Sequence, residues 1–366
     1  MAIPIQDARG VFTKTLVAAW DELLELQPKS FLRSFFTKKT SLSKEVSIEV
    51  IRGTEKIAAD VHRGDNGNRN TFSKSAEKIF VPPFYNEYFD GTELDRYDRL
   101  FGQDASSIST PVISGMIEQA LEKLNILRYK IERAYELQIS QLFESGIVQL
   151  VSGDNIDYKR KAASMNVKTA PGYWTVDTVN PITDFKAGCS FLRQTGKAGD
   201  AEFVAILGQT ALMALLENPF IKHDNLTTVA LIDLKMPQVS AMGGTYHGTL
   251  SAGPYKVHLW AYPEYYDNSA GTATPYVNVD YVFLIPKTTG KFILSYASVP
   301  AIVRDTTNAE FPEFIRQMES DYYINNYIDP VGKKHVFEIL SAGLAIPVSV
   351  DRIYSMKVTD TAIQGG

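Results

Sequence analysis

Residues 109–146, STPVISGMIEQALEKLNILRYKIERAYELQISQLFESG, decide how the rest of the chain is read. Ser109 and Thr110 offer capping oxygens, and Pro111 suits a first helical turn, where its missing N–H costs nothing. Apolar residues recur at Ile113, Ile117, Ala120, Leu124, Leu127, Ile131, Ala134 and Leu142. Steps of three and four make one buried stripe on an α-helix. Glu118, Glu122, Lys123, Lys130, Glu132, Arg133 and Glu136 are expected on the opposite, polar face. Gly146 can adopt the left-handed conformation that ends a helix. Such a helix is roughly 50 Å long, at about 1.5 Å per residue.

Upstream, Val11–Leu26 has helical spacing, and SFLRSFF (Ser30–Phe36) crowds four large apolar side chains around Arg33. That segment either anchors into the chain's own core or docks on a neighbour. Val46–Val50 alternates as a strand, and Thr71–Val81 returns as a second extended arm. Between them His62–Asn70, HRGDNGNRN, is a polar turn. A long hairpin with so few apolar residues is marginal alone in water and needs a partner surface. Ile79–Gly91 is an aromatic strap broken by Pro82-Pro83, and Glu93–Gly102 is charged.

Downstream, Ile147–Val151 is a strand. Helices are expected after Ile182, capped by Thr183 or Asp184, and over Gln209–Pro219, with a buried strand at Glu202–Gly208. Gly244–Asp267 reads as a hairpin turning at Ala252-Gly253-Pro254. Strands at Val279–Pro286 and Lys291–Val299 flank the turn Thr288–Gly290. Phe311–Met318 reads as a short helix, and His335–Leu340 and Leu344–Val358 as closing strands.

The 366 residues carry a net charge of −5, which argues against a tight grip on free nucleic acid. The single cysteine, Cys189, forms no internal disulfide and reads as a buried, inert thiol. The start lacks a secretory layout, and no apolar run reaches membrane-span length. There is no phosphate-binding loop, dinucleotide fingerprint or nucleophile elbow. The five histidines are scattered; only His247 and His258 approach each other, across a predicted hairpin. No catalytic, metal or cofactor-binding residue is assigned. Extended arms that bury little surface within one subunit point towards an assembly.

Five stretches, in order, resemble the lambda-type major capsid proteins of tailed phages, the capsid protein E family. They are SFLRSFF before the hairpin, RYKIERAYELQISQLFESG (Arg128–Gly146), the strand–helix–Asn-Pro run Ile206–Pro219, Gly244-Thr-Tyr246-His-Gly248, and VFEILSAGLAIPVSV (Val336–Val350). Order and spacing agree over roughly Ser30–Val358.

The resemblance implies an α+β chain with the tailed-phage and herpesvirus capsid fold, named after the Hong Kong phage ninety-seven. Residues 1–45 would be an N-terminal arm and 46–90 an extended loop. Residues 91–181, completed by 340–366, would be a peripheral domain with a spine helix, and 182–339 an axial domain. It further implies a non-enzymatic shell subunit without cofactors, forming hexamers and pentamers of an icosahedral capsid around double-stranded DNA. Contacts between copies would involve Phe31, Leu32, Arg33, Phe35 and Phe36 of the arm, and Arg63, Asp65 and Arg69 of the loop tip. Scaffold, portal and decoration proteins are candidate partners, and the virion, assembled in the host cytoplasm, is the implied location. No Lys–Asn crosslinking pair is assigned. The alternatives are an encapsulin-type compartment, another virion structural protein, or an enzyme with an unrecognised site.

Overall fold

The long helix forms over Thr110–Glu144, 35 residues, in a computed structural model of the chain. The structure describes residues 30–50, 76–90, 110–150, 155–224, 232–268, 270–304, 313–329 and 334–361. The readings of 11–26, 62–70 and 93–102 lie outside the described residues.

From Gln119 onward the helix buries Ala120, Leu124, Arg128, Ile131, Tyr135, Ile139 and Leu142, a row with steps of three and four. The helix ends at Gly146, whose φ of +75° is left-handed, with its N–H bonded to the carbonyls of Gln141 and Leu142. A Cβ there would lie 2.3 Å from Cδ of Arg160. Arg160 explains the tight fit, since its guanidinium donates to the orphan carbonyls of Phe143 (2.8 Å) and Glu144 (3.1 Å). It also reaches Ser164 O, Ile353 O and Ser355 Oγ. One buried cation thus ties the helix terminus to the strand that closes the chain.

The helix stripe packs on two small sheets. In one, Phe292–Tyr296 lies between Phe36–Thr40, parallel to it, and Gly343–Pro347, antiparallel. In the other, Lys334–Ser341 lies between Tyr323–Asp329 and Tyr85–Asp90. A seven-stranded sheet has the order 165–167, 354–357, 281–286, 202–207, 255–261, 245–252, 232–239. Alternation along its central strands divides two cores. Phe203, Ala205 and Leu207 join Phe185, Cys189, Leu192 and Leu212 of the helices Pro181–Gln194 and Gln209–Glu217. Val204 and Ile206 join Leu142, Phe143 and Phe292 on the side of the long helix. Burial on both faces is why 202–207 reads as an unbroken apolar run. The sheet takes 165–167 and 354–357 as well as 202–261, so its membership crosses the boundary expected at residue 182.

The hairpin base is present: Val46–Val50 pairs antiparallel with Ala76–Phe80. The hairpin 245–252/255–261 turns through Gly253, at φ +68°, and Pro254. Three readings need correction. The helix expected over Phe311–Met318 does not form in its described part: Glu313–Met318 is a strand paired with Val299–Arg304. Its apolar spacing fits a helix, but a β-branched neighbour strand overrides local preference. The strands expected around Thr288–Gly290 are present and need no correction; they enter different sheets, so the turn hands the chain from one sheet to another. The helix at 181–194 is capped by Asn180, whose side chain accepts from Ile182 N–H. Glu132 and Glu136 are buried rather than on a polar face.

Arg160→Met should lower unfolding stability by about 3 kcal/mol or more, since several buried carbonyls lose a charged donor at once. Urea denaturation measures the drop, and a midpoint within error of the native protein's would refute the tie.

Candidate functional site

Arg128, Glu132 and Glu136 recur at intervals of four, so one face of the long helix carries three ionisable side chains inward. The N-terminal segment meets them. Leu32–Phe35 is a single 3-10 turn, whose first N–H groups have no partner within the turn and meet the helix. Glu136 accepts from Leu32 N–H at 2.7 Å and Arg33 N–H at 3.2 Å. The Tyr262 hydroxyl donates to the same carboxyl. Glu132 Oε1 takes Arg128 Nε at 2.9 Å, the Tyr322 hydroxyl at 3.4 Å and the Arg33 guanidinium at 3.5 Å. Arg33 also donates to the Tyr296 hydroxyl at 3.1 Å. Two acids on one helix therefore hold the segment beside the 292–296 sheet.

Of the arm residues expected to contact neighbours, Phe31 and Leu32 are buried in the chain's own core. Phe31 lies 5.1 Å from Trp260 and 5.6 Å from Tyr262, ring centre to ring centre. Its fit requires Gly244, where a Cβ would sit 2.4 Å from the Phe31 ring. Phe36 is half-buried, stacked on Phe292 at 5.3 Å. Arg33 is partly open, and Phe35 lines a cavity of about 660 Å³ with Trp260, Val239 and Met242. Arg63, Asp65 and Arg69 lie outside the described residues. Sequence reasoning missed Glu132, Glu136 and Tyr262, although acids spaced by four within an apolar face were the visible sign.

His258 Nε2 is 3.1 Å from Glu202, which also pairs with Lys287 at 2.5 Å, an ion cluster at a strand end. Burial pushes the Cys189 thiol up to about 12. Among the described residues no three His, Cys, Asp or Glu side chains could hold a metal ion, and no helix is long and apolar enough to cross a membrane.

The sequence matches the family model of phage major capsid protein E over residues 12–358. The chain belongs to that family. No curated protein matches it significantly. The fold is shared with a protein described as a prophage capsid protein from Escherichia coli CFT073, at 17% identity and a TM-score of 0.62, over 96% of this chain and 100% of that one. A phage-related protein from Bordetella bronchiseptica RB50 matches at 9% identity and 0.51, over 93% and 96%. The mature capsid of bacteriophage PhiM1 matches at 11% and 0.44, over 91% and 88%. The major capsid protein's role is structural, and its working parts are surfaces and the contacts that set them.

In this capsid protein the arm clasp is pH-dependent. Burial raises the Glu136 carboxyl from 4.5 to about 7, partly offset by the N–H groups of Leu32 and Arg33 and by Tyr262. The folded state thus holds this proton where the unfolded chain has released it. Its stabilising contribution is full below about pH 4.5 and is lost as pH rises through about 7. The shift corresponds to about 3 kcal/mol. Denaturation midpoints should therefore fall between about pH 5 and about pH 8, and Glu136→Gln should flatten that fall. A variant whose pH profile matches the native protein's would exclude this carboxyl as the source.

Proposed function

We propose that this capsid protein closes, as hexamers and pentamers, into an icosahedral shell around double-stranded DNA. One observation carries the reading. Among the described residues Val46–Val50 and Ala76–Phe80 pair only with each other, and a two-stranded ribbon is marginal in water without a covering surface. A seat of the right character exists on the same chain. A cavity of about 960 Å³ runs between the strap at Phe84, the helix face at Leu137 and the strand end at Leu150. In the assembly the hairpin of one copy lies over this face of the next, with Arg63, Asp65 and Arg69 at its tip. Arg33, Phe35 and Phe36 supply the arm's contacts, while Phe31 and Leu32 fix the arm to its own subunit.

The division into arm (1–45), extended loop (46–90), peripheral domain (91–181 with 340–366) and axial domain (182–339) belongs to this proposal. So do scaffold, portal and decoration partners, and assembly in the host cytoplasm. Many modest contacts per copy give a closed shell without any single tight interface. A net charge of −5 suits a container that encloses DNA without gripping it.

Negative-stain microscopy of the expressed chain should show closed particles, and their contents distinguish a DNA head from a protein-filled compartment. Deleting residues 62–70 should leave folded subunits that assemble poorly; unchanged particle yield would remove the loop tip from the interface. Phe35→Ser should keep the far-ultraviolet circular dichroism of the subunit. It should raise the concentration needed for assembly about tenfold, a cost of ~1.4 kcal/mol. Loss of folding instead would place Phe35 in the core.

A further inference from the structure

The seven-stranded sheet carries an apolar patch on each of its two faces. At the edge strand, Met236 is 88% exposed, Val239 72% and, just beyond the strand, Met242 37%. Beside them opens the groove of about 660 Å³ that Phe35, Tyr246 and Trp260 line. Val204 lines it too, so the groove opens on the sheet face turned to the long helix. The second patch lies on the other face. There the helices Gln209–Glu217 and Pro219–Asp224 bury Leu212, Leu215 and Ile221 in one core with Phe203 and Leu207. They leave Met213 51% and Phe220 38% exposed. Apolar side chains exposed singly need no explanation, whereas a cluster of them beside a groove marks a contact surface. We propose that the two patches are the two halves of one contact: the 213–220 corner of each copy seats in the 235–242 groove of the next, and repetition closes the ring of a capsomer.

Three observations select a second copy as the occupant. The first is placement. The sheet stands between the patches, so no chain can cover one with the other, whereas a neighbour can. A contact between unlike patches is heterologous, and it closes a ring when the rotation between copies allows. The second is shape. An aromatic side chain filling a pocket is the usual centre of a protein contact, and here one patch is a groove and the other projects a ring. Among the described residues the other exposed aromatic rings are engaged elsewhere: Phe84 and Tyr88 belong to the strap, and Tyr265 donates to Gln209 at 3.2 Å. The third is charge. Glu217 and Lys222 flank Phe220, while Asp233 and Lys235 precede Met236, and all four are exposed. Each patch therefore offers one acid and one base to its opposite. The inference rests on the shell reading above and adds which surfaces meet.

Phe220→Cys combined with Met236→Cys in one chain tests the pairing, because Cys189 is buried and only the introduced thiols meet a short bismaleimide. Treated particles of the double variant should give a denaturing-gel ladder that ends at pentamers and hexamers. Each single variant should run as a monomer. Particles of the double variant that yield no ladder would overturn the pairing and leave the shell reading standing. A dimer band from either single variant would overturn it in favour of a two-fold contact. A native chain that forms no particles would refute the shell reading, and the pairing with it. Charge reversal decides the matter if the cysteines block assembly. Glu217→Lys and Lys235→Glu should each raise the concentration needed for assembly about fivefold, and the two together should return it to within about twofold of native. Losses that add in the combined variant would overturn the pairing.

Discussion

A carboxylate taken out of water is costly unless donors meet it, and Glu136 is met by two backbone N–H groups and a tyrosine. That requirement couples three remote parts of the chain. The long helix supplies the acid, the 3-10 turn at Leu32–Phe35 supplies the N–H groups, and the stretch after the 245–261 hairpin supplies Tyr262. Once the turn is fixed, Phe31 is driven against Trp260 and Tyr262, and Phe36 is delivered onto Phe292. The strand Phe36–Thr40 then adds, parallel, to Phe292–Tyr296. The clasp is thus upstream of the sheet that covers the helix stripe.

The other end of the helix obeys the same rule with the sign reversed. Its last carbonyls would be left unpaired in the core, and the buried Arg160 supplies donors to them and to the closing strand. Burial lowers the pKa of that guanidinium to about 10, which still leaves it charged at neutral pH. An acid near the arm and a base at the terminus hold the helix at both ends. Between them, the seven-stranded sheet presents Val204 and Ile206 to the helix core and Phe203 and Ala205 to the other. The two cores share these strands, so a shift of one would be felt by the other.

Elements whose evidence is local were legible in the sequence. The period of 109–146, the glycine stop at Gly146 and the alternation of 46–50 each lie within a few residues. What was not legible depends on partners far along the chain. Glu136 looks like a solvated helix charge until Leu32, 104 residues earlier, arrives beside it. Glu313–Met318 has helical spacing and becomes a strand because Val299–Arg304 pairs with it. The strands beside Thr288–Gly290 were read correctly as strands, yet their partners are 354–357 and 343–347, so no hairpin forms. For the arm, apolar character was evident in Ser30–Phe36. That Phe31 points inward while Phe35 faces a surface cavity depends on Gly244 leaving room for one ring.

A chain that must meet copies of itself without pairing indiscriminately has to control its sheet edges. The strand Ile232–Val239 ends the seven-stranded sheet and is exposed from Asp233 to Val239. An edge of this kind is a template for further strands. Two features blunt it. Between the pairs Leu234↔Gly248 and Gln238↔Tyr246 the register shifts, so Lys235, Met236 and Pro237 bulge past one residue of the neighbour. Gly248 permits the bulge: its φ is +123°, and a Cβ would lie 2.0 Å from Asp233 O. Pro237, within the bulge, has no N–H to offer another strand. The bulge lifts Met236 to 88% exposure, with Val239 at 72%. Backbone pairing is thereby discouraged while flexible apolar side chains are presented. Contacts through such side chains depend on shape rather than on a ladder of hydrogen bonds, so the exposed apolar groups here do not template open-ended sheet growth.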